Sequence, residues 1–181
     1  YHKFDYKRAL TEARKVRYSA YNATAVVFHN KEVDKCFPGV ALLLAPFFLI
    51  AYLLSYLLGY STGGYEFLFQ ASVSIGALFY LAIGLIFLRK LMKEFAVSEF
   101  IAGLIIIFCV MATNLLHYAV VEPSMSHVYS FGLMAVFLFY VKKSIDDFKL
   151  KNLVWMTVSI SVLFLIRPTN FLSLAFIPFL A

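Results

Sequence analysis

Five long apolar stretches follow a polar N-terminal region, and they limit what this chain can fold into more than any other feature. They cover residues 38–58, 65–88, 98–121, 123–141 and 153–166, and the residues after 168 open a sixth. A helix needs about 20 apolar residues to cross the hydrocarbon core of a bilayer. Only 14% of the residues are charged and 62% are hydrophobic, whereas about a quarter are charged in soluble domains. The sequence therefore predicts an all-α fold, a polytopic transmembrane helical bundle in contact with the lipid bilayer.

The polar region, residues 1–36, differs in composition from the rest of the chain and sets the domain boundary. It is basic and of mixed charge, and we expect a polar juxtamembrane segment there. Residues 37–181 then form the transmembrane region. The chain starts with Tyr1 instead of Met and stops at Ala181 inside an apolar run, which we interpret as an internal piece of a longer protein.

The basic residues indicate how the helices are oriented. They cluster where apolar stretches end and do not form a continuous basic face, so we expect no nucleic-acid partner. The loops after the second and fourth stretches contain Arg89, Lys90, Lys93, Lys142, Lys143, Lys149 and Lys151. Because cytoplasmic loops are enriched in Lys and Arg, these two loops are predicted to face the cytoplasm. Residues 122–127 and 167–170 then share the opposite, outer face.

The first apolar stretch allows two topologies, because Pro46 interrupts it. If residues 38–58 cross the bilayer, the basic region before them is cytoplasmic and the turn at 59–64 is external. If the stretch is re-entrant, both of its ends stay outside. Charge counting favours the first arrangement, and the sequence alone leaves both open.

A short polar interruption between the third and fourth stretches contains the side chains best suited to chemistry. They are Asn114, His117, Glu122, Ser124, Ser126 and His127. A carboxylate and imidazoles at an apolar boundary are costly unless they face protein, water or ligand, so they mark a candidate site. Pro123 suits the first helical position, and helix N-termini bind anions such as phosphate. Here Ser124, Ser126 and His127 would donate hydrogen bonds to the phosphate.

Arg167 and Asn170 lie on the same predicted face and complete this donor-phosphate and substrate site. A guanidinium can bind phosphate oxygens through two parallel hydrogen bonds. The alternative is structural: Glu122 pairs with Arg167, and His127 bonds a backbone carbonyl. A divalent metal held by His117, Glu122 and His127 is a further alternative, since Glu and His are zinc ligands. Asn114 and His117, one turn apart on the third helix, are secondary candidates.

Four pieces of the sequence, taken in order, resemble a known family. They are residues 38–48, residues 113–116, residues 122–127 with 129–131, and residues 166–170. Together they resemble a bacterial branch of the polytopic C-type glycosyltransferases, which are relatives of the dolichyl-phosphate-mannose protein mannosyltransferases. The resemblance covers roughly residues 30–181, and it implies that residues 1–36 are part of an external loop, in contrast to the charge count.

The resemblance implies a glycosyltransferase that takes a sugar from a polyprenyl-phosphate donor at the outer face of the bacterial cytoplasmic membrane. In this family an acidic motif after the first helix supplies the general base. That helix is missing here, no acidic pair precedes residue 38, and Asp5 is a poor candidate. We therefore expect no catalytic residue in this chain, with the base upstream. The chain alone would be inactive, and the sugar and the acceptor stay unidentified.

Two other classes of membrane protein compete with this interpretation. A transporter or flippase subunit would carry ionisable groups at mid-membrane depth, whereas here the charged side chains lie at predicted helix ends. A non-catalytic membrane assembly protein is favoured if the polar residues do not converge in three dimensions.

Overall fold

The computed structural model describes residues 25–28, 31–34 and 37–180, and the chain divides into two compact units after Cys36. In the first unit, strands β1 (Ala25–Phe28) and β2 (Lys31–Asp34) pair antiparallel, with Ala25 opposite Asp34. This hairpin was not predicted from the sequence. Asp5 lies outside the described residues, so the structure does not bear on its role.

The second unit confirms the predicted fold, a helical membrane bundle. Its helices are α1 (Gly39–Leu57), α2 (Phe67–Glu94), α3 (Glu99–Met111), α4 (Leu115–Val120), α5 (Ser126–Asp146) and α6 (Leu150–Ile166). Helices α1, α2 and α5 are long and apolar enough to cross a membrane, and α3 and α6 are shorter apolar helices. Pro46 lies inside α1 without ending it.

The third apolar stretch differs from its prediction, because it is not one helix. Ser98 caps α3 as its position suggests, accepting a hydrogen bond from the Ile101 amide at 3.4 Å. The helix then breaks at residues 112–114. There the Thr113 hydroxyl donates to the Cys109 carbonyl at 2.6 Å and accepts from the Leu115 amide at 3.2 Å. Threonine side chains that bond nearby backbone groups compete with the helical ladder, which explains the break.

The sixth apolar run also departs from an α-helix. Residues Pro168–Phe179 form a 3-10 helix of 12 residues. At about 2 Å per residue such a helix covers roughly 24 Å. It packs back along α5 and α6, and Leu180 at its end lies in a buried cluster with Leu91, Phe137 and Val141. The run therefore returns along the bundle within the described part of the chain.

Close backbone contacts fix how α5 lies against α2. A Cβ on Gly132 would lie only 2.6 Å from the Tyr80 carbonyl oxygen, so the two helices touch where only glycine fits. Farther along both helices, Lys143 forms an ion pair with Glu94 at 2.8 Å. The two helices are thus parallel and finish at the same level. We call this level the basic end; it carries Arg89, Lys90, Lys93, Lys142, Lys143 and Lys149.

The other end of α5 lies beside the middle of α2, because the two helices differ in length. Helix α2 has 28 residues and α5 has 21, which corresponds to about 42 Å and about 31 Å. Helix α1 packs along the N-terminal part of α2, where Leu44 contacts Gly76. Its first residue, Gly39, lies against the backbone of Ile166 at the end of α6. Helix α1 therefore begins at the end of α6 that is opposite the basic end.

Candidate functional site

The N-terminus of α5 follows a tight turn and begins three residues later than predicted. Pro123 is not the first helical residue; the helix starts at Ser126, after Met125 in extended conformation. The Met125 amide donates to the Glu122 carbonyl at 3.0 Å, which closes the turn. The fully buried Tyr129 donates its hydroxyl to the Pro123 carbonyl at 2.6 Å. This second bond occupies the Pro123 carbonyl, and the extended backbone of Met125 separates the turn from the helix.

The corner after α6 is tied to this same end of α5 by one side chain. Asn170 donates to the Ser130 hydroxyl at 3.0 Å and to the Leu163 carbonyl at 3.1 Å. Ser130 lies one turn after Ser126, so Asn170 bonds to the first part of α5. The structure therefore brings the corner at residues 167–170 to the N-terminus of α5.

His127 lies half-buried in the first turn of α5, within electrostatic reach of Arg167. Its ring stacks on Tyr118 of α4, with ring centroids 4.2 Å apart and planes inclined by 23°. Arg167 is also half-buried, and its backbone leaves the helical conformation at the end of α6. The imidazole and the guanidinium thus lie at the same end of the bundle, where Asn170 bonds to Ser130 of α5.

Glu122 is half-buried in the turn before α5. Among residues 37–180 it forms no ion pair with Arg167, and no hydrogen bond joins His127 to a backbone carbonyl. The structural alternative to a binding site, an ion pair that closes the corner, is therefore not seen there. Ser124 is exposed and Ser126 is half-buried, and both flank the helix start.

The two secondary candidates lie apart from this arrangement. Asn114 immediately precedes α4, where its carbonyl accepts the Tyr118 amide at 3.0 Å, and His117 follows within α4. Both are exposed. The His117 ring packs edge-on against the Tyr118 ring, with ring centroids 5.6 Å apart, and Tyr118 is the residue that also stacks on His127. In the described part of the chain no three His, Cys, Asp or Glu side chains are grouped to hold a metal ion.

Sequence reasoning missed Tyr118, Tyr129 and Ser130 as parts of this region. Only Ser130 carries a readable signal, since it is one helical turn from Ser126 and therefore on the same face. The two tyrosines are indistinguishable in the sequence from the other aromatic residues of the apolar stretches. Their contacts depend on the break before α4 and on the delayed start of α5.

An apolar cleft of about 280 Å³ lies between α2, α5 and α6. Aromatic and aliphatic side chains line it, among them Tyr80, Phe87, Tyr140 and Trp155. The Tyr80 ring lies 5.4 Å from that of Tyr129, whose hydroxyl holds the turn before α5. The cleft therefore extends from a residue next to the polar region toward the basic end.

Comparison of the chain with family models, with curated proteins and with solved structures finds no match.

Proposed function

We propose that this chain is part of an integral membrane glycosyltransferase that takes a sugar from a polyprenyl-phosphate donor at the outer face of the bacterial cytoplasmic membrane. The observation that carries the proposal is a half-buried Arg167 near His127, with no carboxylate paired to that guanidinium among residues 37–180. A charge held partly out of water is costly without a partner of opposite sign. A donor phosphate would supply that partner.

The chemistry of sugar transfer fits the groups at this position. The transferred sugar leaves its phosphate behind, and negative charge grows on the phosphate oxygens as the bond breaks. Donors fixed in advance around those oxygens lower the barrier. The guanidinium of Arg167, the His127 imidazole and the amide groups at the N-terminus of α5 are such donors. Ser124 and Ser126 add hydroxyl donors at the same helix end.

Glu122 and Asn170 would have roles other than binding the phosphate. A carboxylate repels phosphate, so in this proposal Glu122 accepts hydrogen bonds from sugar hydroxyls while Arg167 faces the phosphate. Asn170 is held by Ser130 and by the Leu163 carbonyl, and it keeps the Arg167 corner against α5.

The apolar cleft supports a lipid-linked donor. It begins at Tyr80, one aromatic ring away from the turn that precedes α5. An isoprenoid chain attached to a phosphate near Arg167 would find an aromatic and aliphatic surface there. A water-soluble sugar nucleotide would leave this surface unused.

Binding of farnesyl phosphate to the chain in phospholipid nanodiscs tests the proposal. We expect Arg167→Ala and His127→Ala each to weaken binding by about tenfold or more, because each removes a hydrogen bond to a charged group. The matched control is Arg89→Ala, since Arg89 pairs with Glu99 at the basic end. Equal binding by all three variants and the parent would overturn the proposal.

Transfer by the full-length protein separates the glycosyltransferase from its rivals. We expect both site variants to lose most transfer of sugar from a polyprenyl-phosphate donor while inserting normally. Lipid movement across the bilayer without any transfer would instead identify a flippase subunit. If the protein neither binds the donor nor transfers sugar, the assembly protein becomes the better account.

A further inference from the structure

The stacked pair Tyr118 and His127 joins two helices at the proposed phosphate site. The ring centroids are 4.2 Å apart and the planes are inclined by 23°, which is an offset-stacked geometry. Tyr118 comes from α4 and His127 from the first turn of α5. A stack covers the face of an imidazole and leaves its edge, with both ring nitrogens, uncovered by the partner.

The core of the bundle holds Tyr118 in position. Helix α4 packs through Leu115 and Ala119 in a buried cluster with Leu81 and Val128, and Tyr118 lies against this cluster. Val128 directly follows His127 in the chain. The same cluster therefore anchors both rings of the stack, and the break at residues 112–114 turns α4 so that the rings meet.

We propose that Tyr118 is a positioning residue for His127: its ring fixes the imidazole plane so that a ring N–H points toward a phosphate held by Arg167. This inference rests on the proposed function. The χ2 torsion of a histidine is broad and roughly two-fold, so a free imidazole samples many ring planes. The stack selects one of them before the ligand arrives, which reduces the entropy lost on binding.

Three variants test the role of the ring. Tyr118→Phe keeps an aromatic face, Tyr118→Leu removes it, and Phe48→Leu is the matched control. Phe48 of α1 also packs against an aromatic partner, Phe69 of α2, with ring centroids 4.7 Å apart, and it lies outside the apolar cleft between α2, α5 and α6. Tyr118→Met fills the space without a ring and repeats the comparison if the leucine variant does not fold.

The first measurement is the NMR spectrum of the imidazole in the chain labelled at histidine, with the His127 signals assigned by their loss in His127→Gln. We expect the ring-current shift of these signals to persist in Tyr118→Phe and Phe48→Leu and to disappear in Tyr118→Leu. The second measurement is farnesyl phosphate binding in nanodiscs. Loss of an aromatic pair should weaken it about two- to tenfold in Tyr118→Leu and leave the other two variants unchanged.

The outcomes separate this inference from the proposed function. Unchanged binding by Tyr118→Leu, while Arg167→Ala weakens it, overturns the positioning role alone. An unchanged His127 spectrum in Tyr118→Leu overturns it as well, since the ring would then not be fixed by the stack. Absence of binding by the unaltered chain refutes the proposed function and the positioning role together.

Discussion

Asn170 donates one hydrogen bond to the Ser130 hydroxyl at 3.0 Å and another to the Leu163 carbonyl at 3.1 Å. One amide group thus connects the start of the 3-10 helix with both α5 and α6. Its position decides where Arg167 lies, because only two residues separate them in the chain. The corner therefore depends on a polar contact inside an otherwise apolar bundle, where hydrogen bonds between helices contribute modestly but specifically.

Removing this contact should loosen the corner. We expect Asn170→Ala to lower the free energy of unfolding by about 1 kcal/mol, because hydrogen bonds between membrane helices average about 0.6 kcal/mol and two are lost. Ser130→Ala should cost less, since the bond to the Leu163 carbonyl remains. Unfolding of both single variants and the double variant in detergent measures the coupling. Additive effects would show that the two side chains do not interact in solution.

The contact between α2 and α5 should not tolerate a side chain at Gly132. A Cβ there would lie 2.6 Å from the Tyr80 carbonyl oxygen, so we expect Gly132→Ala to destabilise the bundle by about 1–3 kcal/mol. The matched control is Gly103→Ala in α3, where a Cβ meets nothing within 4 Å. That change should stabilise the helix slightly through its better propensity. Thermal unfolding in detergent compares the two, and equal stabilities would refute the close contact.

The kind of charge at position 167 should matter beyond its sign. We expect Arg167→Lys to recover only part of the farnesyl phosphate binding that Arg167→Ala loses. A guanidinium presents two parallel donors to phosphate, whereas an ammonium is a point charge on a flexible stem. Full recovery by lysine would mean that charge alone suffices.

A structural ion pair is tested separately with Glu122→Ala, Arg167→Ala and the double variant. We expect little coupling in the free energy of unfolding, because no ion pair joins these side chains among residues 37–180. A large coupling would make the ion pair the better account of both residues. The measurement is again unfolding in detergent, without lipid phosphate.

The orientation in the membrane predicts opposite labelling of two exposed positions. In a background of Cys36→Ser and Cys109→Ser, we expect Lys151→Cys at the basic end to react with an impermeant thiol reagent from the cytoplasmic side only. Ser61→Cys, in the turn between α1 and α2, should react from the other side. Both positions are exposed. Labelling of both from one side would invert or abolish the predicted topology.

Most helices could be predicted from the apolar stretches. A segment in lipid must be apolar over a long run, and its backbone N–H and C=O groups must form hydrogen bonds with each other, as they do in a helix. Stretch 65–88 became α2, which begins two residues later and ends six residues later than predicted, since its last turns carry Arg89 and Lys93, which can reach water at a membrane surface. The break at Thr113 was not predicted, because threonine is common within membrane helices. The hydrogen bonds of its hydroxyl to the Cys109 carbonyl and the Leu115 amide end the helix at this position.

The candidate site was predictable only as a set of polar residues. Its members stand out in the sequence because charged side chains near lipid are energetically costly. The structure brings Arg167, Asn170 and His127 to one end of α5. The helix start predicted from Pro123 was wrong. The Pro123 carbonyl accepts a hydrogen bond from the Tyr129 hydroxyl, and no sequence pattern indicates this contact. The stacking of Tyr118 on His127 was not predicted either, because it also joins residues that no sequence pattern relates. Long-range contacts, unlike composition, leave no periodic signal.

The unequal lengths of α2 and α5 have a consequence for the surrounding bilayer. The Glu94–Lys143 pair aligns the two helices at the basic end, so α5 stops about 11 Å short of α2 at the other end. The length of α5, about 31 Å, is close to the roughly 30 Å of a bilayer's hydrocarbon core, so the first turns of α2 should extend beyond that core. His127, in the first turn of α5, and the neighbouring Arg167 should then lie where the hydrocarbon meets the lipid headgroups. A phosphate carried on a lipid would reach the guanidinium at the depth of its own headgroup.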